Sequence, residues 1–241
     1  MAKPIHANEV CNSFLKEFSM YKYDLHVHTA GVSPCASMTG AEQARAYKEL
    51  GFTGIVITDH YYKGFFEDHP YPTWKESMDR YYLGYYDAKE EGDKIGLDVF
   101  RSAEVTLASI RKDFIVIGVP VSFFYENANL FDLTQDELCD MVHSAGGLVF
   151  AAHPFRGDNT EWYPYTEKID GVEVLNGNPL SNNKLAYSYA KDHGMLMCAG
   201  SDAHNKGDAG TGGIVISKRI TDVTEFADVL RNEKIGFVKE I

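Results

Sequence analysis

The chain has 241 residues, 44% of them apolar, which is enough to bury a large core and is not the composition of a disordered tail. Asp and Glu number 35 against 23 Lys and Arg, a formal charge of −12 that argues against nonspecific nucleic-acid binding and against an anionic membrane surface. The four cysteines (Cys11, Cys35, Cys139, Cys198) form no C-x-x-C pair, and no leader-like or membrane-spanning apolar run is visible, so a soluble cytoplasmic protein is expected.

Short apolar runs alternate with helical patterns along the chain. YKYDLHVH (21–28) reads as a strand and is followed by a helix over 39–50; GIVITDH (54–60) is a second strand, followed by a helix over 73–93. LDVFRSAEV (97–105) and DFIVIGV (113–119) are the third and fourth strands, and a helix is predicted over 134–144. GLVFAAH (147–153), GVEVLN (171–176) and GMLMCAGSDAH (194–204) complete seven strand candidates, with helices over 181–193 and 222–232. Most of these helices begin at Ser, Thr or Asp, the residues that cap free backbone N–H groups. The alternation predicts an α/β fold with a parallel sheet covered on its outer face, and a barrel is preferred to an open doubly wound sheet. No repeat, linker or low-complexity stretch divides the chain, so residues 1–241 are read as one domain.

Chemistry gathers at the strand ends. Five of the nine histidines (His26, His28, His60, His153, His204) stand at or just past the end of an apolar strand, where parallel α/β folds place their sites. His26 and His28 are two residues apart and share a strand face, and Asp202 and His204 repeat the spacing. Glu104 closes the third strand, and Asp59 precedes His60. One histidine at a strand end is ordinarily structural, but four strands ending this way point to a metal centre of the kind that suits Zn²⁺, Mn²⁺ or Fe²⁺ rather than Ca²⁺. His143 and His193 lie near helix ends that run into glycine, where they can serve the helix terminus, and His6 and His69 read as surface or loop residues. The sequence lacks a cysteine-phosphatase loop, a D-x-D, a G-x-S-x-G elbow, an H-E-x-x-H and a Walker A lysine; GTGG (210–213) is explained as a turn. A metal-activated water is the nucleophile that remains.

These residues resemble the PHP (polymerase and histidinol phosphatase) family of metal-dependent phosphoesterases. The motifs run in order over almost the whole chain: DLHVHT (24–29), ITDH (57–60), Glu104 in SAEVT, AAHPFR (151–156), VEVLNG (172–177) and GSDAH (200–204). The resemblance implies a distorted, TIM-barrel-like (β/α)7 barrel with two to three divalent metal ions at its mouth, hydrolysing a small phosphate ester. It implies that His26, His28, Glu104 and Asp202 hold one metal, that Glu104 bridges to a second that also takes His153, and that His60 and His204 hold a third. Two positions depart from the pattern. Ile115 stands where the family usually has a histidine; Asp113, two residues earlier on the same strand face, is either a substitute ligand or a carboxylate at the edge of the site. In the loop after the first motif, where the family often supplies a His or Asp, Cys35 is either a thiolate ligand or an unreactive cysteine.

In the mechanism this reading implies, a metal pair lowers the pKa of a bridging water, and the hydroxide attacks phosphorus in line with the leaving oxygen. His26, His28, Glu104, Asp202, His204 and Arg156 would carry the reaction, with Arg156 as a guanidinium fork on phosphate and His204 or His60 as a proton source for the leaving group. Asp59 would orient an imidazole, and Asn176 would donate to substrate or orient a ligand. The rival readings are a metal-dependent amidohydrolase, disfavoured because the strands that end with Glu104 and with DFIVIGV offer no lysine at the right place, and a catalytically silent metal-binding regulatory module, suggested by Ile115. A small phosphorylated substrate is expected, with no membrane and no nucleic-acid polymer as partner. The aromatic segment from Tyr61 to Tyr86 is a candidate wall over the mouth. Its part after Thr73 reads as a helix packed on the barrel, and Tyr61, Tyr62, Phe65 and Phe66 read as substrate contacts.

Overall fold

The computed structural model describes residues 20–241. Cys11 and His6 therefore lie outside the described residues. Within them the chain forms eleven strands: β1 (Tyr21–Val27), β2 (Gly54–Ile57), β3 (His60–Tyr61), β4 (Asp98–Arg101), β5 (Ala103–Leu107), β6 (Lys112–Ile117), β7 (Leu148–Ala151), β8 (Gly171–Asn176), β9 (Leu196–Gly200), β10 (Ile214–Ile216) and β11 (Gly236–Phe237). Eight α-helices accompany them: α1 (Gly40–Glu49), α2 (Lys63–Asp68), α3 (Trp74–Tyr81), α4 (Leu83–Ile95), α5 (Phe123–Glu126), α6 (Gln135–Ser144), α7 (Asn183–Asp192) and α8 (Glu225–Asn232). No helix among the described residues is long and apolar enough to cross a membrane.

Helix starts follow local chemistry. Thr39, Thr73 and Thr134 each accept the backbone N–H of a glutamate three residues on, and Glu42, Glu76 and Glu137 reach back to the capping residue's own N–H. The helix predicted over 73–93 is two helices, α3 and α4, separated at Tyr82.

The expectation of a closed, parallel barrel is corrected. The strands form two sheets, in the orders β11-β10-β1-β2-β4 and β3-β5-β6-β7-β8-β9. Where β1 meets β9, a single bridge joins Val27 and Ala203 rather than a ladder. The second and third strand candidates each split in two, so that β2 pairs with β4 in one sheet while β3 pairs with β5 in the other. β6 runs antiparallel to both β5 and β7. Its direction follows from chain length: only Ala108–Arg111 separate β5 from β6, and a parallel crossover needs a dozen residues or more. Consequently it is the start of β6, at Asp113, and not its end, that reaches the site.

Apolar side chains fill two layers. Leu25, Val56, Ile115, Ile117, Phe150, Leu175 and Cys198 pack between the sheets, while Tyr61, Phe65, Met78, Tyr81, Phe114 and Val149 form a second cluster on the outer face. Tyr61 and Phe65 are therefore core residues and not substrate contacts: the Tyr61 hydroxyl accepts the Leu130 N–H, and Phe66 packs against the same cluster. Close approach of β9 to β1 requires Gly200, because a side chain there would collide with His26.

Candidate metal centre

The ends of β1, β5, β7 and β9 and the short strand β3 bring the predicted histidines and carboxylates together. Two of the residues are held in left-handed backbone: His153 at φ 30° and Asp202 at φ 53°. For a non-glycine residue this costs on the order of 1–3 kcal/mol, and such strain concentrates where side chains must be aimed.

Glu104, fully buried on β5, is the hub. Its Oε1 lies 2.9 Å from Nε2 of His153 and 3.3 Å from Nε2 of His26, and its Oε2 lies 2.6 Å from Nδ1 of His60 and 3.6 Å from Nε2 of His28. Asp202 Oδ1 stands 3.3 Å from His28 Nε2 and 3.7 Å from His26 Nε2. Three groups have ligand atoms mutually within 4.8 Å: His26, Glu104 and His153; His26, His28 and Asp202; His28, His60 and His204.

Hydrogen bonds behind the histidines set which nitrogen faces the centre. His26 Nδ1 donates to Glu173 Oε1 at 2.8 Å, leaving Nε2 to face Glu104 and Asp202. Ser33 Oγ donates to Asp59 Oδ1 at 2.7 Å, so His28 Nδ1, 3.0 Å away, is the donor to Ser33, and its Nε2 is also bare. His204 Nδ1 donates to the Asp202 carbonyl at 2.8 Å. The result is that His26 Nε2, His28 Nε2 and Asp202 Oδ1 are buried without a hydrogen-bond partner, and Glu104 Oε2 has only histidine nitrogens facing it. Buried polar atoms are otherwise nearly always satisfied, and convergent bases left this way fit a divalent cation.

Charges at the metal-free centre are uneven. Burial works against ionisation of Glu104, but the charges of His26 and His60 outweigh it and hold the carboxyl well below its usual range. Burial, then the charge of His60, keeps His28 well below the ordinary imidazole value, whereas Glu173, Glu104 and Asp202 overcome burial and raise His26 well above it.

The outer side of the centre is open. Cys35 Sγ lies 3.3 Å from His60 Nε2, which is 3.4 Å from His204 Nε2. Against the effect of burial, contacts with His204 and His60 bring the Cys35 thiol down to about 6. Arg156 Nη1 donates to Asp202 Oδ2 at 3.1 Å while its side chain stays 39% exposed. Arg156 lines two cavities at the mouth, one of about 310 Å³ with Cys35, His60, Asp202 and His204, the other of about 270 Å³ with Arg111, Lys112, Asp113 and His153.

Other predicted residues take different places. Asp59 reaches His28 through Ser33 and also binds the Thr29 N–H at 2.6 Å. Asp113 accepts from Thr106 Oγ1 at 2.6 Å and belongs to none of the three ligand groups, while Ile115, opposite Glu104 in register, is packed in the core. The Asn176 amide is consumed internally: Nδ2 donates to Glu173 Oε2 at 2.9 Å, and Oδ1 accepts from Asn178 N–H and Ser181 Oγ. Of its two expected roles, the contacts match the orienting one, through Glu173, which holds His26.

Sequence reasoning missed Glu173, Ser33 and Asp24. Glu173 binds His26 Nδ1 and also accepts the His153 N–H at 2.8 Å. Asp24 ties β1 to the chain after β9, accepting from the backbone N–H groups of His26 and Ser201 and from Tyr47. A lone acid inside each otherwise apolar strand, DLHVH and VEVLN, is the signal that could have found both.

Residues 181–235 match a family model described as PHP-associated. No curated protein matches the chain. Among solved structures, the chain resembles a two-domain protein of Bacteroides vulgatus containing a predicted PHP-like metal-dependent phosphoesterase, with a TM-score of 0.64 and 18% identity. That match covers 91% of this chain and 64% of the Bacteroides chain, so this chain spans less than two thirds of that protein. A proposed metal-dependent phosphoesterase of Bifidobacterium adolescentis is similar at TM-score 0.53 and 18% identity, covering 88% of this chain and 96% of that one. An amidohydrolase of Chromobacterium violaceum is similar at TM-score 0.55 and 13% identity, covering 90% and 98%. These structures share the fold, and the resemblance to PHP phosphoesterases carried by the motifs is borne out.

Proposed function

We propose that the chain hydrolyses a small phosphate ester with divalent metal ions, Zn²⁺, Mn²⁺ or Fe²⁺, held by His26, His28, Glu104, His153 and Asp202 and, on the open side, by His60 and His204. The observation that carries this reading is the set of buried ligand atoms of His26, His28, Glu104 and Asp202, three of them without a hydrogen-bond partner, aimed at one another across β1, β5 and the turn after β9. When bound, such ions activate water and neutralise phosphoryl oxygens. The chain's own residues do the rest. Glu173, Ser33 and the Asp202 carbonyl hold Nδ1 of three imidazoles, so Nε2 is the nitrogen each would offer to an ion. Arg156, anchored on Asp202 and partly free at the mouth, offers its remaining N–H groups to an anionic ester. Mouth cavities of about 310 and 270 Å³ suit a small ester, and the charge of −12 disfavours a polynucleotide.

The amidohydrolase reading is weaker because the middle-strand residue that joins the histidines is Glu104 and not a lysine. A cytoplasmic setting fits the described cysteines, all of them free. Purified protein is expected to hydrolyse p-nitrophenyl phosphate with Mn²⁺ or Zn²⁺, and the double variant His26→Ala/Asp202→Ala to lose both metal and turnover. Turnover by the chelated double variant sinks the mechanism; tight metal retention by the parent protein without turnover of any phosphoester favours a silent module, and amide turnover favours the rival enzyme.

A further inference from the structure

The two cavities at the mouth differ in charge. Both include Arg156, but the one beside His60 and His204 adds the carboxylates of Asp202 and Asp208, whereas the one beside His153 adds Arg111 and Lys112. The carboxylate in that second wall, Asp113, is already engaged, accepting from Thr106 Oγ1 at 2.6 Å. Three cations around about 270 Å³ are unexpected in a chain with 35 acidic residues against 23 Lys and Arg. Their backbone is fixed. Arg111 ends the turn between β5 and β6, its N–H donating to the Leu107 carbonyl at 2.8 Å and its φ of 52° lying in the left-handed region that glycine or asparagine occupies at less cost. Lys112 opens β6 in register with Leu107, and its Nζ lies 5.0 Å from the centre of the Tyr163 ring. Arg156 is bridged to Ser181, and Asn159 Nδ2 closes the same loop onto the Pro154 carbonyl at 2.7 Å. Among the described residues only Arg156 of the three cations has a carboxylate partner, Asp202. His153 belongs both to this cavity and to the ligand group of His26, Glu104 and His153, so the cavity adjoins the metal centre.

We propose that the substrate carries a second anionic group, a carboxylate or another phosphate, and that Arg111 and Lys112 bind it while the ester phosphate lies at the metal centre. The inference rests on the phosphoesterase reading above and narrows its substrate class. Guanidinium and ammonium groups hold carboxylate and phosphate through charge-assisted hydrogen bonds, and a cavity wall that displaces water strengthens them. Arg156, common to both cavities, stands between the two anionic groups. The opposite cavity, with Asp202 and Asp208, repels an anion, so the two walls together set which way the molecule lies. The competing account is that Arg111 and Lys112 are solvated cations at a hairpin tip, which contribute little to any ligand. That account predicts no preference for a second charge.

The test uses the full chain loaded with Mn²⁺ and two matched pairs of esters. One pair is 3-phosphoglycerate against glycerol 3-phosphate, which reads a carboxylate; the other is propane-1,3-diol bisphosphate against its monophosphate, which reads a phosphate. Binding is measured separately by calorimetry with propylphosphonate, 4-phosphonobutyrate and propane-1,3-diphosphonate, whose C–P bonds are not hydrolysed. The parent should favour the doubly anionic member of at least one pair about 10-fold in kcat/KM, the size of one partly exposed charge-assisted bond, with a matching preference among the phosphonates. The pair that shows it identifies the second group. Arg111→Gln/Lys112→Gln should bring both ratios close to one, and Arg111→Lys, which keeps the charge without the planar fork, should retain part of the preference. A parent that hydrolyses the monoesters but favours neither doubly anionic ester, or a double variant that keeps the parent's preference, overturns the proposal and leaves the phosphoesterase reading standing. A parent that prefers the doubly anionic phosphonates yet turns over no phosphoester supports the anion subsite and overturns the phosphoesterase reading.

Discussion

The two halves of the centre are built differently. His26, His28, Glu104 and Asp202 are buried, and each imidazole has a fixed acceptor behind it, Glu173 or Ser33, that is itself bonded onward to Asn176 or Asp59. His60, His204, Cys35 and Arg156 are partly or largely exposed, and most are carried on loops after β1, β7 and β9. A buried half with several supports per ligand resists rearrangement, whereas an exposed half can exchange ions, admit substrate and vary in chemistry. The two departures from the motifs fall differently: Cys35 lies in the outer half, and Ile115, opposite Glu104 in register, is absorbed into the core.

The sharpest way to break this contrast is to remove the group both halves share. Glu104→Gln keeps the shape but withdraws the charge that faces His26, His28, His60 and His153. Metal content measured by atomic emission should fall in both halves, and turnover should drop by more than the roughly 10- to 100-fold that loss of an outer hydrogen-bond partner costs. Retention of full metal stoichiometry would show that the halves bind independently.

Asp24 tests the buried half through pH. Burial, partly offset by hydrogen bonds from Ser201, Tyr47 and His26, raises its carboxyl from 3.8 to about 6. Between those values the native protein holds a proton that the unfolded chain has released, so this contribution to stability is complete below pH 3.8 and is lost as pH rises through about 6. Two units correspond to about 3 kcal/mol. In chelated protein, the unfolding free energy of wild type relative to Asp24→Asn, from urea titrations, should shrink by up to that amount between about pH 4 and pH 7. A difference that stays constant with pH removes Asp24 as the titrating group.

How much of this was legible in the sequence divides along the same line. His26 and His28, or Asp202 and His204, are visible because a two-residue spacing on a strand fixes their common face. Their supports are not visible in that way: Glu173 meets His26 across 147 residues, and nothing local in VEVLN says which strand it will face. The helices that begin at Thr39, Thr73 and Thr134 were legible because the cap and its glutamate are three residues apart. The direction of β6 was available in principle, since four residues between Leu107 and Lys112 permit only a hairpin, but period-2 patterning carries no sense of direction. β10 and β11, three and two residues long, are too short for any periodicity; β10 is placed by pairing with β1, and β11 by pairing with β10.

Glu173 offers a finer cut within the buried half. Glu173→Gln retains an oxygen for the His153 N–H but removes the charge that fixes the His26 tautomer. Metal affinity at the His26 position, measured by chelator competition, should weaken about 10- to 100-fold. An unchanged affinity would mean that Glu173 is there only to join β8 to its neighbours.

The smallest effect belongs to the exposed half, at Arg156. Among the described residues its side chain bonds Asp202, already engaged with His26 and His28, and it remains 39% exposed, so water can replace much of what it supplies. A charge-assisted hydrogen bond to substrate is worth about 1.5–3 kcal/mol when well shielded. The low end is appropriate here, and Arg156→Ala should raise KM for p-nitrophenyl phosphate about 10-fold with kcat changed much less. Arg156→Lys restores the charge without the planar fork and should recover only part of the loss. If instead the guanidinium serves only to hold Asp202, both variants will alter metal content and leave KM alone, which would move Arg156 from the substrate side of the comparison to the ligand side.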